Sequence, residues 1–104
     1  MELLTAHLDE GPPRVLHVVG EVDLATVDAF RAVLEGAFAR GSTALIDLAE
    51  VTFIDAAGLR VILQVARSVN GGGPLTLINA ARVERLFKLV GMADLPSVEF
   101  RGGE

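Results

Sequence analysis

Residues 44–69, ALIDLAEVTFIDAAGLRVILQVARSV, decide the fold, because they predict a buried strand, a short acidic loop and a helix. The strand is predicted over Ala44–Leu48, with Asp47 near its C-terminal end. The helix follows Asp55, whose carboxylate is placed to accept hydrogen bonds from backbone N–H groups of the first turn. Two alanines and a glycine come next, so we expect a helix start with almost no side chain. Its backbone donors and the positive end of the helix dipole would then be open to a partner.

Two strands and a helix are predicted on the N-terminal side of this stretch. Strands over Leu3–Leu8 and Arg14–Val19 would form a hairpin. The second strand is almost continuously apolar, which is typical of a strand covered on both faces, and Gly20 is expected to end it. The helix after it is capped by Asp23 or Thr26. Its apolar residues recur at helical spacing: Val27, Phe30, Val33, Leu34, Ala37 and Phe38.

The helix after Asp55 has a clear core face and a clear polar face. Arg60 and Gln64 lie on the polar side. Val61 and Val65 flank the core face, and the pattern leaves open whether they are buried or serve as contact positions. The core face consists of Leu59, Ile62, Leu63, Ala66 and Val69.

The C-terminal part predicts a strand, a helix and a last strand. The strand covers Leu75–Ile78, Asn79 caps the third helix, and Gly91 is placed for a left-handed helix end. A last short strand is predicted within Leu95–Phe100, before a frayed tail at Arg101–Glu104. The apolar side of the third helix is Val83, Leu86, Phe87 and Val90.

The order ββαβαβα over residues 1–104 predicts a single α/β domain. Its sheet would be mixed and mostly parallel, with four to five strands and the helices packed on it.

Composition excludes several classes of function. The chain has 14 acidic and nine basic residues and a net charge of −5, which argues against a nucleic-acid surface. It has no cysteine, so disulfide and thiol chemistry are excluded. No signal peptide and no apolar run long enough to span a membrane are present. We therefore expect a soluble cytoplasmic domain without membrane insertion.

Residue patterns for catalysis or metal binding are weak. His7 and His17 lack a further ligand at metal-like spacing, and no cofactor motif occurs. Asp23, Asp47 and Asp55 are candidates for one sheet edge, where they would bind Mg²⁺ or, as we favour, act as two helix caps and one strand-end acid. The serines Ser42, Ser68 and Ser97 lie in no nucleophile motif. The sequence thus predicts a protein that is not an enzyme.

Three segments together resemble the STAS domain family. Val19–Thr26 (VGEVDLAT) resembles its "GELD" segment, Leu45–Leu59 resembles its central "DLSxVxFIDSSGL" segment, and Asn79–Met92 resembles its last helix. The resemblance implies the STAS fold. It is nearest to bacterial anti-sigma-factor antagonists, which implies docking on an anti-sigma factor or serine-kinase-like partner to regulate transcription.

The resemblance also implies a switch, from which this chain departs. In the family, the partner kinase phosphorylates a serine directly after the central aspartate, and the added charge disfavours docking. Here that position is Ala56 and the next is Ala57, so the usual phosphoswitch cannot operate. Thr52 is the nearest hydroxyl upstream. The sequence does not separate drift in a structural copy from a binding module held in the dephosphorylated-like form.

The predicted partner-binding surface combines the helix start with the exposed side of the helix. It comprises Asp23, Asp55, Ala56, Ala57, Gly58, Arg60, Val61 and Gln64. Two alternatives remain open. One is a STAS subunit of a transport ATPase or other regulatory complex. The other is a small-ligand or nucleotide-binding domain, which the shortage of basic residues near the loop disfavours.

Overall fold

The computed structural model describes residues 4–38, 44–68, 75–91 and 98–102. Within these segments, the longest helix has 13 residues, and no helix is long and apolar enough to cross a membrane. The elements in chain order are β1 (Leu4–Asp9), β2 (Val15–Val22), α1 (Val27–Ala37), β3 (Leu45–Ile54), α2 (Ala56–Ser68), β4 (Leu75–Ile78), α3 (Ala81–Leu89) and β5 (Val98–Arg101).

The five strands form one sheet in the order β1-β2-β3-β4-β5. β1 is antiparallel to β2, and the other neighbouring pairs are parallel. This confirms the predicted fold class, a mixed and mostly parallel sheet with helices packed on it. The predicted strand Leu75–Ile78 is also confirmed.

One face of the sheet carries the hydrophobic core. An apolar residue of every strand lies in register across it: Leu8, Leu16, Ile46, Leu77 and Phe100. Phe30 and Leu34 of α1 are completely buried in the same core, and α1 packs against α2. Phe87 of α3 meets Phe100 edge-on with ring centroids 5.7 Å apart. All three helices therefore lie on this face of the sheet.

The opposite face of the sheet is open. Its matching row is His7, His17, Asp47, Ile78 and Arg101. The prediction that β2 is covered on both faces is wrong, since Val15 and His17 are half-buried and Val19 is exposed. Valine favours β-strands in general, so a run of valines predicts a strand but does not indicate that both of its faces are buried.

β2 and β3 are both longer than predicted. β2 continues through Gly20, and β3 continues to Ile54, so the predicted acidic loop is strand. Asp47 consequently lies in the first half of β3 rather than near its end. The pairing shifts register twice, between His17 and Val19 and between Gly20 and Glu21, where β3 has an extra residue each time. These bulges disrupt the period-two alternation by which an exposed strand is recognised.

The ends of α3 differ from prediction in two respects. Asn79 does not cap the helix; Ala80 occupies the N-cap position, and Asn79 has a left-handed φ of 54°. Val90 lies beyond the last helical residue and is 47% exposed, so its assignment to the core face was wrong. Gly91 has a φ of 78°, which confirms its predicted left-handed conformation.

The chain termini allow one further correction. Arg101 belongs to β5 and is not part of a frayed tail. The predictions for Leu3, Val69, residues 95–97 and residues 103–104 lie outside the described residues.

Candidate functional site

Asp55 organises the start of α2, as the sequence predicts. Its Oδ1 accepts hydrogen bonds from the N–H groups of Ala57 at 3.0 Å and Gly58 at 3.3 Å. Its own N–H donates to the carbonyl of Val22 at 3.2 Å, which fixes the helix start to β2. The helix cap is therefore confirmed. Because Asp55 occupies these two N–H groups, they are not open to a partner, and that part of the prediction is wrong.

Gly58 is required for close packing rather than for contact with a partner. It is buried, and a Cβ at this position would lie 2.7 Å from Cγ1 of both Ile54 and Val22. Only glycine lets the helix approach the two strands so closely. Gly58 is therefore buried inside the protein, and its prediction as a contact residue is wrong.

The β2–α1 loop lies beside this helix start. Val22 pairs with Ile54, so Asp23 follows the end of β2 next to the residue that precedes Asp55. Asp23 Oδ1 accepts from the N–H groups of Ala25 at 2.9 Å and Thr26 at 3.1 Å. Both aspartates thus stabilise the backbone at one edge of the sheet.

Thr26 and its neighbour Leu24 have contrasting environments. Thr26 is the N-cap of α1, but its hydroxyl donates to the carbonyl of Glu21 at 2.7 Å instead of capping the helix. Leu24 is 81% exposed, a fraction that places a large apolar side chain on the surface beside the helix start.

The exposed side of α2 is narrower than predicted. Ala56, Arg60 and Gln64 are exposed, Ala57 is half-buried, and Gln64 accepts a hydrogen bond from Arg31 of α1. Val61 is only 3% exposed, so its prediction as a contact residue is wrong. α2 packs against α1 as well as β3, and positions that flank the core face are therefore buried too.

A small cleft adjoins this exposed side. It has a volume of about 150 Å³ and is lined by Ala56, Leu59, Arg60, Leu63 and Val90. Val90 reaches it from the end of α3, and Phe53, which is 48% exposed, lies two residues before Asp55. Sequence reasoning missed Leu24, Phe53 and Val90, because apolar periodicity does not distinguish an exposed apolar residue from a core residue.

Thr52, the nearest upstream hydroxyl, lies in β3 and not in the helix start. Its side chain is exposed, and its Oγ1 donates to the carbonyl of Gly20 at 3.3 Å. Thr52 therefore does not replace the missing hydroxyl at the first residue of α2.

Asp47 belongs to a separate polar cluster on the open face. Its Oδ2 lies 3.0 Å from Nδ1 of His17, and its Oδ1 accepts from Nδ2 of Asn79 at 3.1 Å. Oδ1 also accepts from the N–H of Ala49 at 2.9 Å. The His7 and His17 rings stack with centroids 6.3 Å apart.

The pKa of Asp47 reflects this environment. Burial opposes ionisation, but the hydrogen bonds from the Ala49 backbone, Asn79 and His17 outweigh it. They hold the pKa of the carboxyl below its ordinary value of 3.8. Asp23, Asp47 and Asp55 thus have different partners, and the described residues contain no group of three potential ligands placed for a metal ion.

The comparisons with known proteins agree with this architecture. Residues 7–98 match the model of a family described as "Mlab, STAS domain". A search of curated proteins found no match.

Three solved structures have similar folds. An anti-sigma factor antagonist from Mycobacterium paratuberculosis has a TM-score of 0.76 and 21% identity, over 92% of this chain and 85% of that chain. Phosphorylated SpoIIAA from Bacillus has a TM-score of 0.63 and 21% identity, over 93% and 91%. An antisigma-factor antagonist STAS domain from Rhodobacter sphaeroides has a TM-score of 0.61 and 16% identity, over 74% and 87%. The resemblance noted from the sequence is confirmed, and the chain belongs to the STAS domain family.

Proposed function

We propose that this chain is an anti-sigma-factor antagonist-like binding module of the cytoplasm. It docks on an anti-sigma factor or serine-kinase-like partner and thereby regulates transcription, and its role is binding rather than catalysis. The observation that carries the proposal is the exposed, small-residue start of α2 at Ala56, which lines a cleft together with the exposed apolar Val90. The anti-sigma-factor antagonists among the solved structures of similar fold support it.

The proposed docking surface contains an apolar patch and a polar side. Its apolar part consists of Val90 at the cleft and the exposed Leu24 and Phe53, and exposed apolar surface is typical of protein interfaces. Arg60 and Gln64 supply the polar side, and Asp23, Asp55, Ala56 and Ala57 form the helix start between the two parts of the proposed surface. The cleft beside Ala56 is large enough for one apolar side chain of a partner.

Ala56 makes this binding independent of the phosphoswitch that the STAS resemblance implies. It is the first residue of α2, and alanine has no hydroxyl to accept a phosphate. A kinase that phosphorylates the serine of other family members therefore cannot modify this position, and the chain stays in the docking-competent form. The partner must be controlled by its own signal or by the amount of this protein.

Binding to anti-sigma kinases from the same genome tests the proposal. Ala56→Asp places a charge in the centre of the surface, and we expect at least a tenfold loss of affinity by calorimetric titration. The substitution should not unfold the protein, because an acid in the first turn of a helix is favoured by the helix dipole. Ala32→Asp on the exposed side of α1 is the matched control, and we expect it to retain wild-type affinity.

Equal affinities of wild type and Ala56→Asp for every kinase that binds would contradict the proposed surface. Arg60→Glu gives a second measurement of affinity, because it reverses a charge at the rim of the cleft without altering the helix start. Loss of binding in both variants, with the Ala32→Asp control intact, supports docking at α2.

A second candidate function also fits the missing hydroxyl at Ala56. Some STAS domains accompany transport ATPases, and a subunit that only stabilises such a complex needs no phosphoswitch. Affinity purification of the tagged protein from its own cells distinguishes the two functions. Recovery of a kinase-like protein supports the antagonist, whereas recovery of an ATPase supports the transport subunit.

A further inference from the structure

A larger cleft lies at the carboxyl edge of the sheet, away from the start of α2. β4 ends at Ile78 and β5 ends level with it at Arg101, while β3 continues on the other side of β4 as far as Ile54. The early ends of β4 and β5 leave a notch of about 550 Å³ beside the longer β3 and α3. This volume lies in the range of small-molecule sites, and the carboxyl edge of a parallel sheet is the usual place for them.

The charge of this cleft is opposite to that of the whole chain. Three of the nine basic residues, Arg82, Arg85 and Arg101, line it, against Glu84 as the single acid among the lining residues. The overall net charge is −5, so a concave surface rich in arginine contrasts with the rest of the molecule. The sequence did not predict it, because α3 and β5 contribute these arginines from segments 16 residues apart at the closest.

Two of the arginines contact other groups of the fold. Nη1 of Arg82 donates to the carbonyl of Thr52 at 2.7 Å and lies 3.5 Å from that of Val51, which ties α3 to β3. Nε of Arg101 lies 3.7 Å from the Glu99 carboxylate. Arg82 is thereby positioned at the cleft, and both guanidinium groups keep further N–H donors.

Arg85 differs from these two in its contacts. Among the residues that the structure describes, Arg85 makes no hydrogen bond and no ion pair. A guanidinium without such contacts, in the same cleft as those of Arg82 and Arg101, is suited to bidentate binding of phosphate oxygens. The lining also includes apolar side chains from β3 and β5: Leu48, Ala49 and Phe100.

We propose that this cleft binds a small phosphorylated molecule with at least two negative charges. Its phosphate groups contact Arg82, Arg85 and Arg101, and its less polar part lies against Phe100 and Leu48. The inference goes beyond the proposed function, since the site shares no residue with the α2 docking surface. The sequence argued against a small ligand from a shortage of basic residues near the loop, and the arginines of this cleft remove that objection.

A nuclear magnetic resonance titration of the whole chain with pyrophosphate tests the site. The chain has no tryptophan or tyrosine, so amide shifts report binding better than intrinsic fluorescence. We expect saturable shifts at Arg82, Arg85 and Gly102 and none at Ala56 or Arg60. Arg85→Gln should weaken binding about tenfold, as expected for one charge-assisted hydrogen-bonding group. Arg67→Gln is the matched control, because it removes the same charge from an exposed helical position outside the cleft.

Three results would overturn the proposal: no saturation, equal weakening by Arg67→Gln, or tighter binding of succinate or a glutamate-rich peptide than of pyrophosphate. Arg85 makes no hydrogen bond or ion pair within the described residues, so its replacement should leave the thermal unfolding midpoint unchanged. If Arg85→Gln does unfold, Arg101→Gln provides the same measurement from β5. Failure here leaves the α2 binding experiment unaffected, so the two proposals are separately testable.

Discussion

α2 and α3 both begin at the carboxyl edge of the sheet, and they begin in different ways. α2 starts with Asp55, whose carboxylate accepts hydrogen bonds from the N–H groups of Ala57 and Gly58. α3 starts with Ala80, which has no side chain able to cap, and arginines line the cleft in front of it. The first start is closed by the chain itself and presents small and apolar residues, whereas the second is open and positively charged. The two helix starts are therefore suited to different ligands: the start of α2 to a protein partner and the start of α3 to a small anion.

The difference follows from the groups that the two expected caps contact. Asp55 bonds to its own helix, but Asn79, the expected cap of α3, instead donates to Asp47 in β3. Asn79 is held in a left-handed conformation one residue before the N-cap. The open start of α3 is therefore a consequence of side-chain pairing with a neighbouring strand.

The largest effect is expected at Gly58, where α2 approaches the sheet most closely. Gly58→Ala places a Cβ 2.7 Å from buried side-chain atoms of Ile54 and Val22, and overpacking of this kind costs about 2 kcal/mol. A Cβ added to Gly36 of α1 would meet no described atom within 4 Å, so Gly36→Ala should instead stabilise by about 0.5–1 kcal/mol. Urea unfolding of both variants measures whether each substitution lowers or raises the free energy of unfolding. If Gly58→Ala were more stable than wild type, the helix start would have to lie further from Ile54 and Val22 than the structure shows.

The next effect concerns the caps themselves. Asp55→Ala removes the acceptor of two backbone N–H groups and should cost about 1 kcal/mol in the free energy of unfolding. Ala80→Ser adds a cap that α3 lacks and should stabilise by about 0.5 kcal/mol. Chemical denaturation gives both values. If Asp55→Ala did not change the free energy of unfolding, the claim that Asp55 caps α2 while α3 lacks a cap would be contradicted.

The smallest effect is the pH dependence of the Asp47 cluster. Because the folded-state pKa of Asp47 lies below its ordinary value of 3.8, the ionised carboxylate stabilises the fold above that pH. The contribution is lost as the pH falls from about 3.8 through the lower folded-state pKa. We expect the unfolding free energy of wild type to decline more steeply below pH 4 than that of Asp47→Asn. Parallel curves for the two proteins would contradict this assignment.

Much of the fold was predictable, because it depends on local patterns. The strand Leu75–Ile78, the cap at Asp55 and the left-handed Gly91 each have a signal within a few residues. The extension of β3 was not predictable, because two bulges against β2 break its alternation. Such pairing is visible only once the partner strand is in place.

The candidate site was predictable in part. Asp55, Ala56 and Arg60 are where the sequence placed them, but burial of Val61 depends on packing by α1, which no helical wheel contains. The arginine cleft was missed for a related reason. Its residues come from α3 and β5, and only the sheet order brings those elements together.

The central claim is that the start of α2 docks on a kinase-like partner without a phosphoswitch, and restoring the hydroxyl tests it most directly. Wild type and Ala56→Ser are each incubated with a binding anti-sigma kinase and ATP, then analysed by intact mass spectrometry and by retention on the immobilised kinase. We predict that Ala56→Ser gains one phosphate and is released, whereas wild type stays unmodified and bound. Phosphorylation and release of the wild type, for example through Thr52, would contradict the account.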